Sequence, residues 1–358
     1  MERAPMKTAV IGCGMISKIY LTNLVGRFSN IDVVAVCDLD AQKAAARSEE
    51  FGVPVRTMED VLADKTVELV VVLTPAPTHY GIIRQALLAG KHVYTEKTLT
   101  TQREQAAELV ALAEEKGVYL GAAPDTFLGA SLQQARRIID SGVLGEITGF
   151  NICSNRNLDR LTSRFFFLRL EGGGICYDYG VYYLTALVSL LGGIDSVVAH
   201  VENRAPIRIN NNPDCPEYQK SFSYPNEGQV TALLRTQNGV SGTFTLNGES
   251  IGKDLTVFSI YGKNGVLKLA NPNFFGGALE LLLSDQDPQQ IESTLPYGDN
   301  CRGIGPSEMV DAIRAGRFNR ASKELSYHVL DVIESIMESS RNHCFVDVHS
   351  DCPSIASF

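Results

Sequence analysis

The chain lacks several things whose absence narrows what it does. It has no tryptophan, so any stacking on a flat ligand or a sugar ring falls to tyrosine or phenylalanine. No apolar run approaches the roughly 20 residues that a membrane-spanning helix needs. No basic cluster stands out and the net charge is −9, which argues against nucleic acid, whose phosphates demand grouped Lys and Arg. The eight cysteines are scattered, with no C-x-x-C pair, so reduced thiols are expected rather than a disulfide framework, and no metal centre. The opening Met1-Glu2-Arg3-Ala4-Pro5 has no apolar core of the kind a signal peptide carries. Together these features predict a cytoplasmic protein without membrane or nucleic-acid partners. Low-complexity tracts and internal repeats are also missing. At 358 residues the chain is long enough for two domains with cores of their own.

What is present begins at once. Lys7 to Ile11 is a short apolar run, and Gly12-Cys13-Gly14-Met15-Ile16-Ser17 follows it directly. Ile16, Ile19, Tyr20, Asn23, Leu24 and Phe28 then step by three and four, as on one helix face. Val33 to Cys37 is a second β-branched run ending on Asp38. This order is what a dinucleotide requires. The first glycine makes the tight turn, the second admits backbone N–H groups to the pyrophosphate, and the helix N-terminus faces its charge. Gly12, Gly14, Met15 and Ile16 are therefore candidate cofactor contacts, with Ser17 as the small residue in place of a third glycine. Asp38 would accept hydrogen bonds from the adenosine ribose and repel a 2′-phosphate, and no arginine follows it, so NAD is expected over NADP.

Alternating strands and helices continue to about Ala122, with Val67 to Leu73 as a strand buried on both faces. Tyr80 to Ala89 and Gln102 to Lys116 read as helices, and His92 to Tyr94 and Val118 to Ala122 as strands. After Pro124 the character changes. A helix over Ser131 to Ser141 precedes strands at Glu146 to Cys153, Ser196 to Glu202, Gln229 to Thr236, Val240 to Leu246, Leu255 to Tyr261 and Val266 to Leu269. Gln237-Asn238-Gly239 and Lys263-Asn264-Gly265 mark hairpins. Helices around Pro306 to Ala315 and Lys323 to Asn342 close the chain. The reading is an α/β Rossmann domain, a doubly wound parallel sheet, over residues 1–123. Residues 124–358 form an α+β domain with a large, mostly antiparallel open-faced sheet. Its uncovered face predicts a homodimer or homotetramer.

Two further motifs carry chemistry. Glu96-Lys97-Thr98 lies just past the strand His92 to Tyr94, where a lysine at the carboxyl edge of the sheet can be tuned for proton transfer; a surface ion pair is the plainer alternative. Gly172-Gly173-Gly174 precedes Ile175-Cys176-Tyr177-Asp178-Tyr179-Gly180-Val181-Tyr182-Tyr183. The glycines permit close backbone approach, and Asp178 and Tyr182, four apart, share a face of the helix that runs to about Leu191. Their alternative is an acid at a helix start and a core tyrosine. Asp125 and Phe127 after the last strand of the first domain, and Asn155 and Arg156 ending the first strand of the second, are candidate substrate contacts.

The order Gly12-Cys13-Gly14, Asp38, Thr74-Pro75 with His79, Glu96-Lys97 and the glycine triplet with Asp178 resembles the glucose–fructose oxidoreductase / inositol dehydrogenase (Gfo/Idh/MocA) family over nearly the whole chain. The resemblance implies that Thr74, Pro75, His79, Glu96 and Lys97 join the cofactor site. It also implies hydride transfer between nicotinamide and a secondary alcohol of a sugar, glycoside or cyclitol, with Lys97 moving the hydroxyl proton. Lys97, Asp178 and Tyr182 are then the catalytic candidates. Three positions depart from the family pattern: Thr98 stands for proline, Ala76 for asparagine, and Tyr182 for histidine. Tyrosine ordinarily titrates near 10 against about 6.5 for histidine, so the acid–base assignment stays open. Two alternatives stay open with it. One is an NAD-dependent glycoside hydrolase or lyase working through transient oxidation at C3, and the other is a nucleotide-binding sensor without turnover.

Overall fold

The structure is a computed structural model that describes residues 4–250, 256–352 and 355. It resolves into two compact units, and the chain visits the first one twice. That unit holds Met1–Leu128 and Asn300–Tyr327, and the second holds Gly129–Asp299 and His328–Phe358. The first segment of the first unit ends at Leu128, and residues 300–327 return to it after residues 129–299 of the second.

The first unit is built on a five-stranded parallel sheet: β1 (Met6–Ile11), β2 (Ile31–Cys37), β3 (Leu69–Val72), β4 (His92–Thr95) and β5 (Leu120–Ala122). The connecting helices are α1 (Ser17–Gly26), α2 (Ala41–Phe51), α3 (Met58–Ala63), α4 (His79–Leu88) and α5 (Arg103–Lys116). Strand order β2-β1-β3-β4-β5 reverses direction between β1 and β3, which opens a crevice beyond the carboxyl end of β1. The Leu-Val-Val-Val of β3 is buried throughout, as a parallel strand covered on both faces must be.

In the second unit, α6 (Ala130–Asp140) leads into β6 (Ile147–Asn155) and the short α7 (Leu158–Arg164). A π-helical turn over Cys176–Gly180 then runs into α8 (Val181–Leu191). A two-stranded hairpin, β8 (Ile207–Ile209) with β9 (Ser221–Ser223), stands apart. The main sheet adds β7 (Ile194–Glu202), β10 (Gln229–Thr236), β11 (Ser241–Asn247), β12 (Thr256–Gly262), β13 (Gly265–Lys268), β14 (Leu279–Leu283), β15 (Gln289–Ile291) and β16 (Val346–Asp347). Nine strands pair in the order β15-β14-β13-β12-β6-β11-β10-β7-β16, antiparallel except where β6 meets β11. Both hairpin signals are used, and Gly239 adopts the positive φ its turn requires (83°).

One face of this sheet carries the core: Phe150, Ile152, Leu234, Phe244, Phe258 and Ile260 are buried. The other face is open. Leu233, Thr243, Asn151 and Ser259 lie in one cross-strand row of it, and Leu233, Val257 and Tyr261 on it are 53%, 45% and 36% exposed. The expected strands appear with ends shifted by a residue or two. Residues 1–3 and Leu255, the expected start of a strand, lie outside the described residues. Composition gave no cue for α7 or the β8–β9 hairpin, which fill what reads as loop between richer patterns.

Candidate functional site

One group of candidate residues lies along the carboxyl edge of the parallel sheet. Gly12 sits at φ 103°, and a Cβ there would come within 2.7 Å of the Leu73 carbonyl carbon and 2.8 Å of the Thr74 nitrogen. Only glycine lets β1 turn this close to the strand beside it. Gly14 differs: a Cβ on it would meet nothing within 4 Å. That open space above a helix start is the cradle a pyrophosphate requires. The two glycines thus differ: the turn requires one, and the other leaves open space beside it.

Asp38 is held by the turn itself. Its Oδ2 accepts the Cys13 N–H at 2.7 Å and its Oδ1 accepts the Asp40 N–H at 2.8 Å. Each oxygen keeps a lone pair for a ribose hydroxyl, so the residues fit a dinucleotide whose ribose is unphosphorylated. Ser17, in the third-glycine position, is buried and donates to the Gly14 carbonyl at 2.6 Å, and Arg47 of α2 donates to Ser17 Oγ at 2.9 Å. Met15 is 68% exposed at the lip of the turn, and Ile16 is half-buried as the residue capping α1.

Beyond β3, Thr74 accepts the Thr78 hydroxyl at 2.8 Å, and Pro75 precedes a short 3-10 turn. His79 is wholly buried, with Nδ1 2.7 Å from the Thr98 carbonyl and Nε2 2.8 Å from the Thr74 carbonyl. Burial lowers its pKa. The ring bridges the backbones of the Thr74 and Lys97–Thr98 loops, so any influence on a cofactor passes through those loops. Glu96 is likewise engaged: Oε1 accepts the Tyr20 hydroxyl at 2.7 Å and Oε2 the Lys97 N–H at 3.2 Å. Lys97 is half-buried, and its peptide bond to Thr98 is cis.

Asp125 and Phe127, expected to touch substrate, are instead 1% exposed. Asp125 Oδ2 accepts the N–H groups of Gly303 and Gly305 at 3.0 and 3.1 Å, at the start of α9 (Ile304–Ala315). Burial, with Glu96 adding to it, pushes the carboxyl up to about 6 against the pull of those donors and Arg302. Asp125 fastens residues 300–305 to the first unit and has no free face for a substrate.

Another group of candidate residues belongs to the second unit. Asn155 ends β6, half-buried, and the Arg156 guanidinium lies 4.0 Å over the Tyr179 ring. The glycine triplet is filled by the protein itself. A Cβ on Gly173 would lie 2.3 Å from the Leu168 carbonyl oxygen, and one on Gly174 would lie 1.9 Å from Glu227 Oε2. Asp178 and Tyr182 are both half-buried, one on the π turn and one on the first turn of α8. The deeply buried polar pair of this helix lies one residue further on. Tyr179 and Tyr183 hydroxyls meet at 3.1 Å, Asn271 donates to Tyr179 at 2.9 Å, and Tyr183 donates to Ser154 Oγ at 3.0 Å. Sequence periodicity held the signal for this pair, since Tyr179 and Tyr183 are also four apart. No local signal marked Glu227, which reads as a loop residue between Asn226 and Gly228.

Among the described residues no group of three or more His, Cys, Asp or Glu side chains is arranged to hold a metal ion, and no helix is long and apolar enough to cross a membrane.

Residues 6–123 match a family described as an oxidoreductase family with an NAD-binding Rossmann fold, and residues 132–268 match the GFO/IDH/MocA C-terminal domain. An uncharacterized oxidoreductase of Schizosaccharomyces pombe is 32% identical over 232 residues, which cover 63% of this chain and 62% of that protein, less than two thirds of its length. The D-glucoside 3-dehydrogenase of Escherichia coli K12 is 32% identical over 69% of this chain and 72% of its own. Among solved structures, a levoglucosan dehydrogenase in complex with NADH superposes with a TM-score of 0.84 over 97% of this chain and 100% of its own; at 19% identity it shares the fold.

Proposed function

The chain belongs to the NAD-binding Gfo/Idh/MocA oxidoreductase family, and from that premise we propose that it is a dehydrogenase or reductase. It moves hydride between a nicotinamide cofactor and a secondary alcohol of a sugar, glycoside or cyclitol. One observation carries the reading. The carboxyl edge of a single parallel sheet presents an open glycine turn, an acid poised for a ribose and, two strands away, the Glu96-Lys97 pair. The E. coli relative named as a D-glucoside 3-dehydrogenase makes the C3 hydroxyl of a glucoside the first substrate to try.

Bound NAD supplies the hydride acceptor. Asp38 holds the adenosine ribose, and the N–H groups at Gly14 to Ile16 hold the pyrophosphate. Lys97 takes the hydroxyl proton as the carbon is oxidised. Tyr182 donates a hydrogen bond to the developing carbonyl oxygen, and Asp178 orients a substrate hydroxyl. Arg156 and Asn155 meet the rest of the sugar. The protein works as a homo-oligomer through the open face bearing Leu233, Val257 and Tyr261. All eight cysteines are free thiols, which supports a cytoplasmic location.

The test is absorbance at 340 nm with NAD and NADP against glucosides, free sugars and cyclitols, for wild type and Lys97→Ala. NADH growth that falls by about 10²–10⁴-fold in the variant is expected. An alanine variant as active as wild type removes Lys97 from the proton path. Glycoside cleavage on retained NAD without net NADH would replace the dehydrogenase with the redox-neutral hydrolase. Asp38→Ser is expected to narrow the preference for NAD over NADP; an unchanged ratio would remove Asp38 as its source.

A further inference from the structure

The third glycine of the triplet has no room for a side chain because a carboxyl group fills that room. A Cβ on Gly174 would lie 1.9 Å from Oε2 and 2.1 Å from Oε1 of Glu227. The same Oε1 accepts the Cys176 N–H at 2.9 Å, and the Glu227 backbone carbonyl accepts the Ile175 N–H at 3.1 Å. The attachment extends along residues 224–227. The buried Tyr224 hydroxyl donates to the Gly173 carbonyl at 3.3 Å, and the Asn226 amide donates to the carbonyls of Leu168 and Leu170 at 3.1 and 2.8 Å. This segment therefore templates the loop from Leu168 to Cys176, immediately before the π turn. Asp178 is locked to the same loop, its N–H donating to the Gly174 carbonyl at 2.8 Å.

We propose that Glu227 is a positioning residue for the reaction: its carboxyl, seated on Gly174 and bonded to Cys176, fixes the turn that presents Asp178 and Tyr182. The idea rests on the dehydrogenase reading for its kinetic consequence but not for its structural one. Groups facing the carboxyl are Asp178, Tyr177 and Cys176 on the turn and Tyr224 on its own segment, with the Arg208 guanidinium 4.5 Å over the Tyr224 ring. Burial first, and Asp178 in addition, push Glu227 up to about 7, while the N–H donors pull it down. The ionised carboxyl binds those N–H groups more strongly than the neutral acid does. The ionised carboxyl thus grips the turn best above neutrality, at a cost to the fold as a whole from burying its charge, and turnover should rise with pH through about 7.

Two readouts separate this idea from the function it serves. Hydrogen–deuterium exchange of the peptide spanning 174–183, corrected for intrinsic rates, should quicken about tenfold in Glu227→Gln and in Gly174→Ala, which displaces the carboxyl without altering it. In turnover, Glu227→Gln should lower kcat about fivefold to tenfold, leave the NAD KM within about twofold, and erase the rise near pH 7. Glu227→Asp should restore part of that rise. Unchanged exchange in both variants overturns the proposal whatever the activity. Altered exchange in the variants, with a wild type that oxidises no alcohol, leaves the anchor standing and removes the dehydrogenase. An unchanged pH profile in Glu227→Gln, with exchange altered, reduces Glu227 to a structural prop.

Discussion

Two helices in this protein start on a carboxyl borrowed from a distant part of the chain, one in each unit. Asp125 reaches the start of α9 in the nucleotide unit, and Glu227 reaches the turn before α8 in the other. The local job is the same, since each acid accepts backbone N–H groups that a helix start leaves without partners. The surroundings differ. Asp125 has Arg302 pulling its pKa down, and it is pushed up to about 6; Glu227 has Asp178 pushing the other way and reaches about 7. Burial raises both to a similar net extent, and the lower ordinary value of an aspartate leaves Asp125 the lower of the two. The nucleotide unit thus has an anchor that is settled at pH 7.5. In the unit bearing Asp178 the anchor still responds to pH there.

The comparison breaks most sharply if the two anchors are removed outright. Asp125→Ala strands two buried N–H groups and should cost about 3 kcal/mol in denaturant unfolding of the nucleotide unit. A loss below about 0.5 kcal/mol would mean that the start of α9 needs no partner. Next comes backbone space. Gly305→Ala would bring a Cβ within 2.1 Å of the Tyr94 hydroxyl on a buried ring, whereas Gly174→Ala meets only the movable end of Glu227. Gly305→Ala should therefore lower the melting temperature several-fold more than Gly174→Ala; the reverse order would show that the carboxyl of Glu227 is not free to swing aside.

The smaller effects sharpen the contrast in pH. A carboxyl whose folded pKa is raised contributes stability that is complete below its unfolded value and lost as pH rises through the folded one. For Asp125 that window runs from 3.8 to about 6, and for Glu227 from 4.5 to about 7. Relative to wild type, Asp125→Asn and Glu227→Gln should both gain stability as pH rises, by at most about 3 kcal/mol. The Asp125→Asn difference should level off by about pH 6.5, and the Glu227→Gln difference should grow until about pH 7.5. Melting curves at half-unit intervals would show it, and a common plateau would erase the distinction between the two anchors.

The sequence disclosed the parts of the site whose chemistry is local. Gly12, Gly14 and Asp38 act through a turn and the next strand tip, so their spacing announces them, and β-branched runs announced the parallel strands. Glu227 and Asp125 act across 51 and 178 residues respectively. Nothing beside Asn226 or Pro124 records such a partner, so Asp125 reads as a cleft residue when it is an anchor. Tyr179 and Tyr183 show the intermediate case. Their four-residue spacing was visible, but the same helix offered Asp178 and Tyr182 at that spacing too, and only packing decides which pair goes inside.

The twice-visited first unit also has a consequence in time. On the ribosome the glycine turn and all five parallel strands are made first, yet the donors that satisfy Asp125 belong to residues 303 and 305. The whole of residues 129–299 must be synthesised in between, a wait on the order of ten seconds or more at usual elongation rates. Until then Asp125 lacks the α9 donors that hold it in the folded unit, so the maturation of that unit is timed by the completion of its neighbour's sequence rather than its own.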